Sequence, residues 1–321
     1  MVLKKWDNYE DLQKAKTHSL RITAPAEMEV RIMFDFLKNK KDESTIPEPQ
    51  LAMELTQEAD ELMENNDPKR AEKQYKRAFE IYTRLSKEEP DKYRNDLAHC
   101  ATGLGGCCEA GEKYHDAYDM YMVALELYRE GSSDENAESI ALVAETGCNI
   151  GDTYFFRNKY DKAEEEYKKA LDIYIGLMEK EGEKYLEDIA YCYDCLAKSS
   201  SGKEEYSRSI EYYEKVIEIY CKLIADHKGN KLDEVNVDYN DELAGVYGDI
   251  GYIYSCCKNY DDAEKYYLKA AEIFEKLANV DPENFGDSLA SQYADIAALY
   301  EDMGKPELAK EYDSRSQGLG I

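Results

Sequence analysis

The amino-acid sequence predicts an all-α chain, a solenoid of about six helical hairpins. Three observations carry that expectation. Small and aromatic residues recur at fixed spacing, apolar positions follow helical periodicity, and Ala, Glu, Lys, Leu and Tyr are abundant with only 7 Pro and 18 Gly in 321 residues.

The recurrence is anchored on a small residue, usually preceded by Leu or Ile: Ala59, Gly105, Gly151, Ala197, Gly251 and Ala297. Successive steps are 46, 46, 46, 54 and 46 residues. Nine residues after the anchor stand Pro68, Tyr114, Tyr160, Tyr206, Tyr260 and Pro306. Twelve after it stand Ala71, Ala117, Ala163, Ser209, Ala263 and Ala309; sixteen after it, Tyr75, Tyr121, Tyr167, Tyr213 and Tyr267. Small residues return at Ala78, Ala124, Ala170, Val216 and Ala270, and an aromatic closes each unit at Tyr82, Tyr128, Tyr174, Tyr220 and Phe274. Small anchors let two helices approach closely, and the following aromatic fills the gap beside them. Ala163, Tyr167, Ala170, Leu171 and Tyr174 share one face of a helix, with charges opposite. Asp67-Pro68, Asp161 with Glu164, and Asp261 with Glu264 read as N-caps or capping boxes. Pro90, Gly182 and Pro282, each 31 residues past an anchor, read as stops, with Tyr93, Tyr185 and Phe285 three residues on. Asp313 and Ser316 replace the expected aromatic and small residues in the sixth unit, as in a polar terminal cap. The 54-residue step implies a lengthened loop at 228–240.

This pattern, covering residues 51–321, resembles the tetratricopeptide repeat. The ordinary repeat is about 34 residues long, so both helices are expected to be longer, similar to repeats of the kinesin-light-chain type. The resemblance implies a right-handed α-α superhelix whose first helices line a concave face. It places His99, Glu145, Asn149, Asp152, Tyr191, Asp194, Lys198, Asp249, Tyr252 and Asp295 on that peptide-binding groove. Some members clamp a C-terminal carboxylate with Lys, Asn and Arg on successive first helices. Here Lys198 stands almost alone among acids, which argues against an anionic ligand.

Residues 1–50 fall outside the repeat and form an arm. Its segment 25–37 reads as a helix N-capped near Thr23, although alternation at Met28, Val30, Ile32, Phe34 and Phe36 also permits a strand. The arm either caps the first repeat or docks in the groove through Lys38, Lys40 and Lys41.

Charge narrows the partners. Acids outnumber bases 69 to 41, a net of -28, and the arm holds nine of each, so the deficit lies in 51–321. Such a body repels nucleic acid and anionic membranes and favours basic or neutral polypeptides. No run of 18 apolar residues and no export signal is present, and most of the nine cysteines, among them Cys100, Cys107, Cys108, Cys148, Cys256 and Cys257, fall within helical repeat segments and read as small buried hydrophobes. A cytoplasmic protein is expected. Cys192 and Cys195 form a lone C-x-x-C inside a repeat helix, lacking the second pair or the His pair that zinc wants. Gly103-Leu104-Gly105-Gly106 lies mid-helix with no strand before it, and the four histidines are far apart in sequence. No cofactor, metal site or enzymatic activity is expected. The predicted function is a protein-interaction scaffold that takes a peptide or helix in an acidic groove. The alternative is a self-associating protein that pairs through its terminal repeats.

Overall fold

The structure, a computed structural model, describes residues 49–131, 136–227 and 237–319. The arm, apart from its last two residues, lies outside them, as does most of the predicted loop; so do Thr23, the segment 25–37 and Lys38, Lys40 and Lys41. Among the described residues there is no strand. The described residues form twelve α-helices: α1 (Pro49–Glu64), α2 (Pro68–Glu88), α3 (Pro90–Ala110), α4 (Tyr114–Gly131), α5 (Ala137–Phe155), α6 (Tyr160–Glu181), α7 (Leu186–Gly202), α8 (Tyr206–His227), α9 (Val237–Cys256), α10 (Tyr260–Val280), α11 (Pro282–Asp302) and α12 (Pro306–Gln317). Every anchor lies in an odd-numbered helix. Every residue nine places later is the first residue of the even-numbered one. Apart from the terminal helices α1 and α12, all run 17 to 22 residues, which is the lengthening that the repeat period requires.

The hairpin turns share one device that the sequence does not advertise. The residue seven places after each anchor is left-handed: Asn66, Glu112, Asn158, Glu204, Lys258 and Gly304, with φ between 56° and 67°. The next residue's N–H then reaches back to a carbonyl five residues earlier, as in Asp67 to Leu62 and Lys159 to Tyr154, both 2.8 Å. This Schellman arrangement satisfies the carbonyls left orphaned by the ending helix. Only Gly304 adopts the conformation without a Cβ penalty.

The caps bear out one expectation and correct another. Asp67 does cap α2, accepting from the Arg70 N–H at 3.2 Å, with Pro68 in the first turn. Asp161 and Asp261 do not cap; the caps are Lys159 and Asn259, because α6 and α10 begin at Tyr160 and Tyr260. Both acids lie in the first turn, where they complement the helix dipole. Pro90 and Pro282 open α3 and α11, where a missing N–H costs nothing, so one residue separates those helices from their predecessors. Tyr93, Tyr185 and Phe285 beyond them are buried.

The chain divides into two compact units, the first ending at Thr146 and the second beginning at Gly147. In the first, α1 packs on α2, α2 on α3 and α3 on α4. Its core sets Ala59, Ala71, Ala78, Ala98 and Ala117 against Tyr75, Tyr82, Tyr93 and Tyr121, all buried. In the second, each helix from α6 to α11 packs on its successor. Pairs of tyrosines bridge α7–α8 and α9–α10, Tyr193 with Tyr212 and Tyr247 with Tyr266, ring centres about 6 Å apart. Glu164 is buried in this unit, yet Lys168, Arg208 and Lys203 reach it at 2.9, 2.9 and 3.3 Å, and the Ser200 hydroxyl donates to it. Burial pushes its carboxyl up, but the three cations outweigh that and hold it below the usual range.

Candidate functional site

The first helices position the candidate site through a brace seen in both units. In α5, a Cβ on Gly151 would stand 2.5 Å from the Tyr167 ring, so the bare glycine lets that ring pass between the helices. The Tyr167 hydroxyl then donates to Asp152 Oδ1 at 2.6 Å, and Tyr191 of α7 donates to Oδ2 at 2.9 Å. The first unit repeats the register. Tyr75 donates to Asp60, and His99 Nε2 lies 3.1 Å from the same carboxylate. Each acid next to an anchor is thus gripped by its own second-helix tyrosine and by a side chain 39 residues on.

The two braces differ electrostatically. Burial raises the Asp60 carboxyl, but the bonds from His99 and Tyr75 outweigh it, so Asp60 is held low and His99 is raised by its bond to Asp60. In the second unit burial wins. Asp152, Asp194, Asp249 and Asp295 are all held above the usual carboxylate range, burial being the largest cause in each. Lys198 occupies the register of Asp60 and Asp152, and pairs with Asp194 at 2.7 Å. Tyr213 therefore donates to Asp249 on the next first helix, at 2.8 Å.

The ten predicted residues fall in both units. His99 and Glu145 are exposed in the first, where Glu145 helps to raise His99. In the second, the structure brings together Asp152 and Tyr191, Asp194 and Lys198, and Asp249 and Asp295. Tyr252 is 60% exposed on α9 and Asn149 is half-buried one turn before Asp152. Between α9 and α11 lies an open cleft of about 570 Å³ that takes in Asp249, Tyr252 and Asp295. Sequence reasoning missed Asp287 and Gln292 on its α11 wall. A signal for Gln292 existed: five places before the last five anchors stand Cys100, Thr146, Cys192, Val246 and Gln292, all buried, and only the last carries an amide.

The cysteines need a correction. Cys100, Cys107, Cys148, Cys192 and Cys195 are buried, but Cys108 is half-buried and Cys256 and Cys257 are exposed, because α9 ends at Cys256, beyond the packed stretch. Cys192 and Cys195 lie inside α7, with Cys192 Sγ 3.6 Å from Cys148 Sγ. Among the described residues no group of three or more His, Cys, Asp or Glu side chains is arranged to hold a metal ion, and no helix is long and apolar enough to cross a membrane.

Residues 189–227 and 243–284 match one tetratricopeptide-repeat family model, and residues 144–174 match a second. The chain carries tetratricopeptide repeats. Solved structures of similar fold include BtubC (BKLC) from P. vanneervenii, 20% identical over 78% of this chain and 90% of that one, with a TM-score of 0.60. The apo quorum sensor NprR from B. thuringiensis is 15% identical over 91% and 70%, also at 0.60. Nearly identical TPR-like repeats from Podosopora anserina, described as those of a kinesin light chain, are 13% identical over 73% and 98%, at 0.51. At these identities the likeness is one of fold. No curated protein matches the chain.

Proposed function

We propose that the protein is an interaction scaffold that takes an extended peptide or a helix of a basic partner on the face formed by its first helices. The observation that carries this reading is the row of carboxylates formed by the partly buried Asp152, Asp194 and Asp249 and the exposed Asp295, all held above the usual range, with Lys198 as the cation among them. Concentrated negative charge is costly to a protein standing alone, and a cationic partner offsets that cost. Tyr191 and Tyr252, 43% and 60% exposed, add rigid contact area with little side-chain entropy to lose. The repeat architecture supports the same reading, since hairpins stacked within the second unit present their first helices side by side. Where NprR is described as a quorum sensor, this chain is read as a holder of polypeptides.

A peptide array graded in net charge tests it. Binding should rise with Lys and Arg content and collapse between about 50 mM and about 500 mM salt, as the screening length shrinks several-fold. Equal binding of acidic peptides, or indifference to salt, would overturn it.

A further inference from the structure

The cleft between α9 and α11 is where this face has the means to read a particular side chain. Three carboxylates open onto it: Asp249 from α9, and Asp287 and Asp295 from α11. The exposed ring of Tyr252 stands at its edge, and the buried rings of Tyr267 and Phe274 line it from α10. Gln292 is the telling residue. It is only 4% exposed, it lines the cleft, and its Nε2 has no hydrogen-bond partner. Leaving a buried amide unpaired is costly, so a donor held in that state awaits an acceptor from outside. The helix opposite makes room. A Cβ on Gly248 would press on Gln292 Oε1 at 3.0 Å, whereas Gly245 faces open space. Glycine weakens a helix interior, and among the described residues no packing accounts for it at Gly245.

We infer that this cleft binds an arginine residue of the partner, its guanidinium among Asp249, Asp287 and Asp295 and its main-chain carbonyl accepting from Gln292 Nε2. Arginine fits better than lysine on chemical grounds. Its planar fork of five donors can serve carboxylates on two helices at once and can stack on Tyr252, whereas an ammonium is a compact point charge that holds its water more tightly. The volume, about 570 Å³, suits one long side chain with its flanking peptide groups. This inference rests on the reading of the acidic face as a partner-binding surface, and names what one part of it selects.

The side-chain amide resonance of Gln292, followed in the full chain by NMR, tests it with N-acetyl-arginine amide and N-acetyl-lysine amide as probes. The arginine compound should shift that resonance saturably, and the lysine compound should bind several-fold more weakly. The double variant Asp249→Asn/Asp295→Asn keeps side-chain shape and leaves Tyr213 an oxygen to donate to; it should weaken arginine binding by about tenfold or more. Ser291→Arg, which tethers a guanidinium in the cleft from an exposed position, should abolish the shift while helical circular dichroism stays unchanged. A silent Gln292 resonance, equal binding of the two probes, or undiminished binding in either variant would overturn the inference. If basic peptides still bind in a salt-sensitive way while the arginine probe is silent, the cleft assignment alone fails. If no basic peptide binds, the proposed function fails with it.

Discussion

Gly151→Ala is the perturbation that most sharply tests the packing of these repeats. In an unhindered helix interior, alanine in place of glycine stabilises by about 0.8–1.0 kcal/mol. At Gly151 the new Cβ would lie 2.5 Å from Cε1 of Tyr167, a ring 1% exposed. Either the helices part or the ring moves, and overpacking of this kind costs about 1–3 kcal/mol. Moving the ring also draws the Tyr167 hydroxyl away from Asp152, a bond to a charged group worth about 1.5–3 kcal/mol. The two penalties outweigh the helix gain, and the variant should be less stable by about 2–4 kcal/mol. Gly176 is the internal control. It lies in α6 with nothing within 4 Å of an added Cβ, so Gly176→Ala should gain up to about 1 kcal/mol. Urea unfolding followed by far-ultraviolet circular dichroism reads both, with midpoints moving in opposite directions. A Gly151→Ala variant as stable as the parent would refute the claim that the tyrosine needs a bare anchor.

Other outcomes follow from the same structure. Glu204→Gly and Lys258→Gly relieve left-handed residues that cost about 1–2 kcal/mol. After the greater unfolded-state freedom of glycine is subtracted, each should raise stability by about 0.5–1 kcal/mol, visible in a thermal melt. Glu164→Ala should destabilise by about 1–2 kcal/mol, less than a fully buried ion pair, because Lys203 and Arg208 keep Asp161 and Glu205 as partners; an unchanged melt would show that the cluster is idle. Stability should also depend on pH with a definite sign. Asp152, Asp194, Asp249 and Asp295 have folded values above their unfolded ones, so their contribution is fully present below the unfolded value and is lost as pH rises through the folded one. His99, also raised, acts in the same sense. Asp60 and Glu164 are depressed and act oppositely, their contribution being lost at lower pH. Melting temperature should therefore rise as pH falls from about 8 to about 5 and drop again below about 4, near ordinary carboxylate values. A maximum above neutrality would contradict the burial of that acidic row.

The repeat was readable in the sequence because its geometry is written in side-chain size: a small anchor and a large ring must recur in step for the hairpins to stack. Tyr167 and Tyr213 could be placed from spacing alone. The hairpin turns could not, because the left-handed residue is Asn, Glu or Lys in five places and only Gly304 carries the usual mark. Asp161 and Asp261 looked like caps because acids favour helix starts generally, and only the backbone shows the caps two residues earlier, at Lys159 and Asn259. Cys256 and Cys257 fall within a repeat segment of the sequence, yet lie where α9 ends and are exposed. The charge of the first-helix face could be read from composition and register. Its grip could not, since Tyr213 crosses to Asp249 only because Lys198 displaces the usual acid.

Asp249→Asn sets stability against affinity at one carboxylate that Tyr213 still contacts, so unfolding midpoint and affinity for a basic peptide, measured on the same preparation, bear directly on what the acidic face is for. The expected result is a higher midpoint together with weaker binding, as befits charge crowded onto the fold for the sake of a cationic partner. A lower midpoint with unchanged affinity would mean that the acids serve the fold itself, and that partners, if any, bind elsewhere.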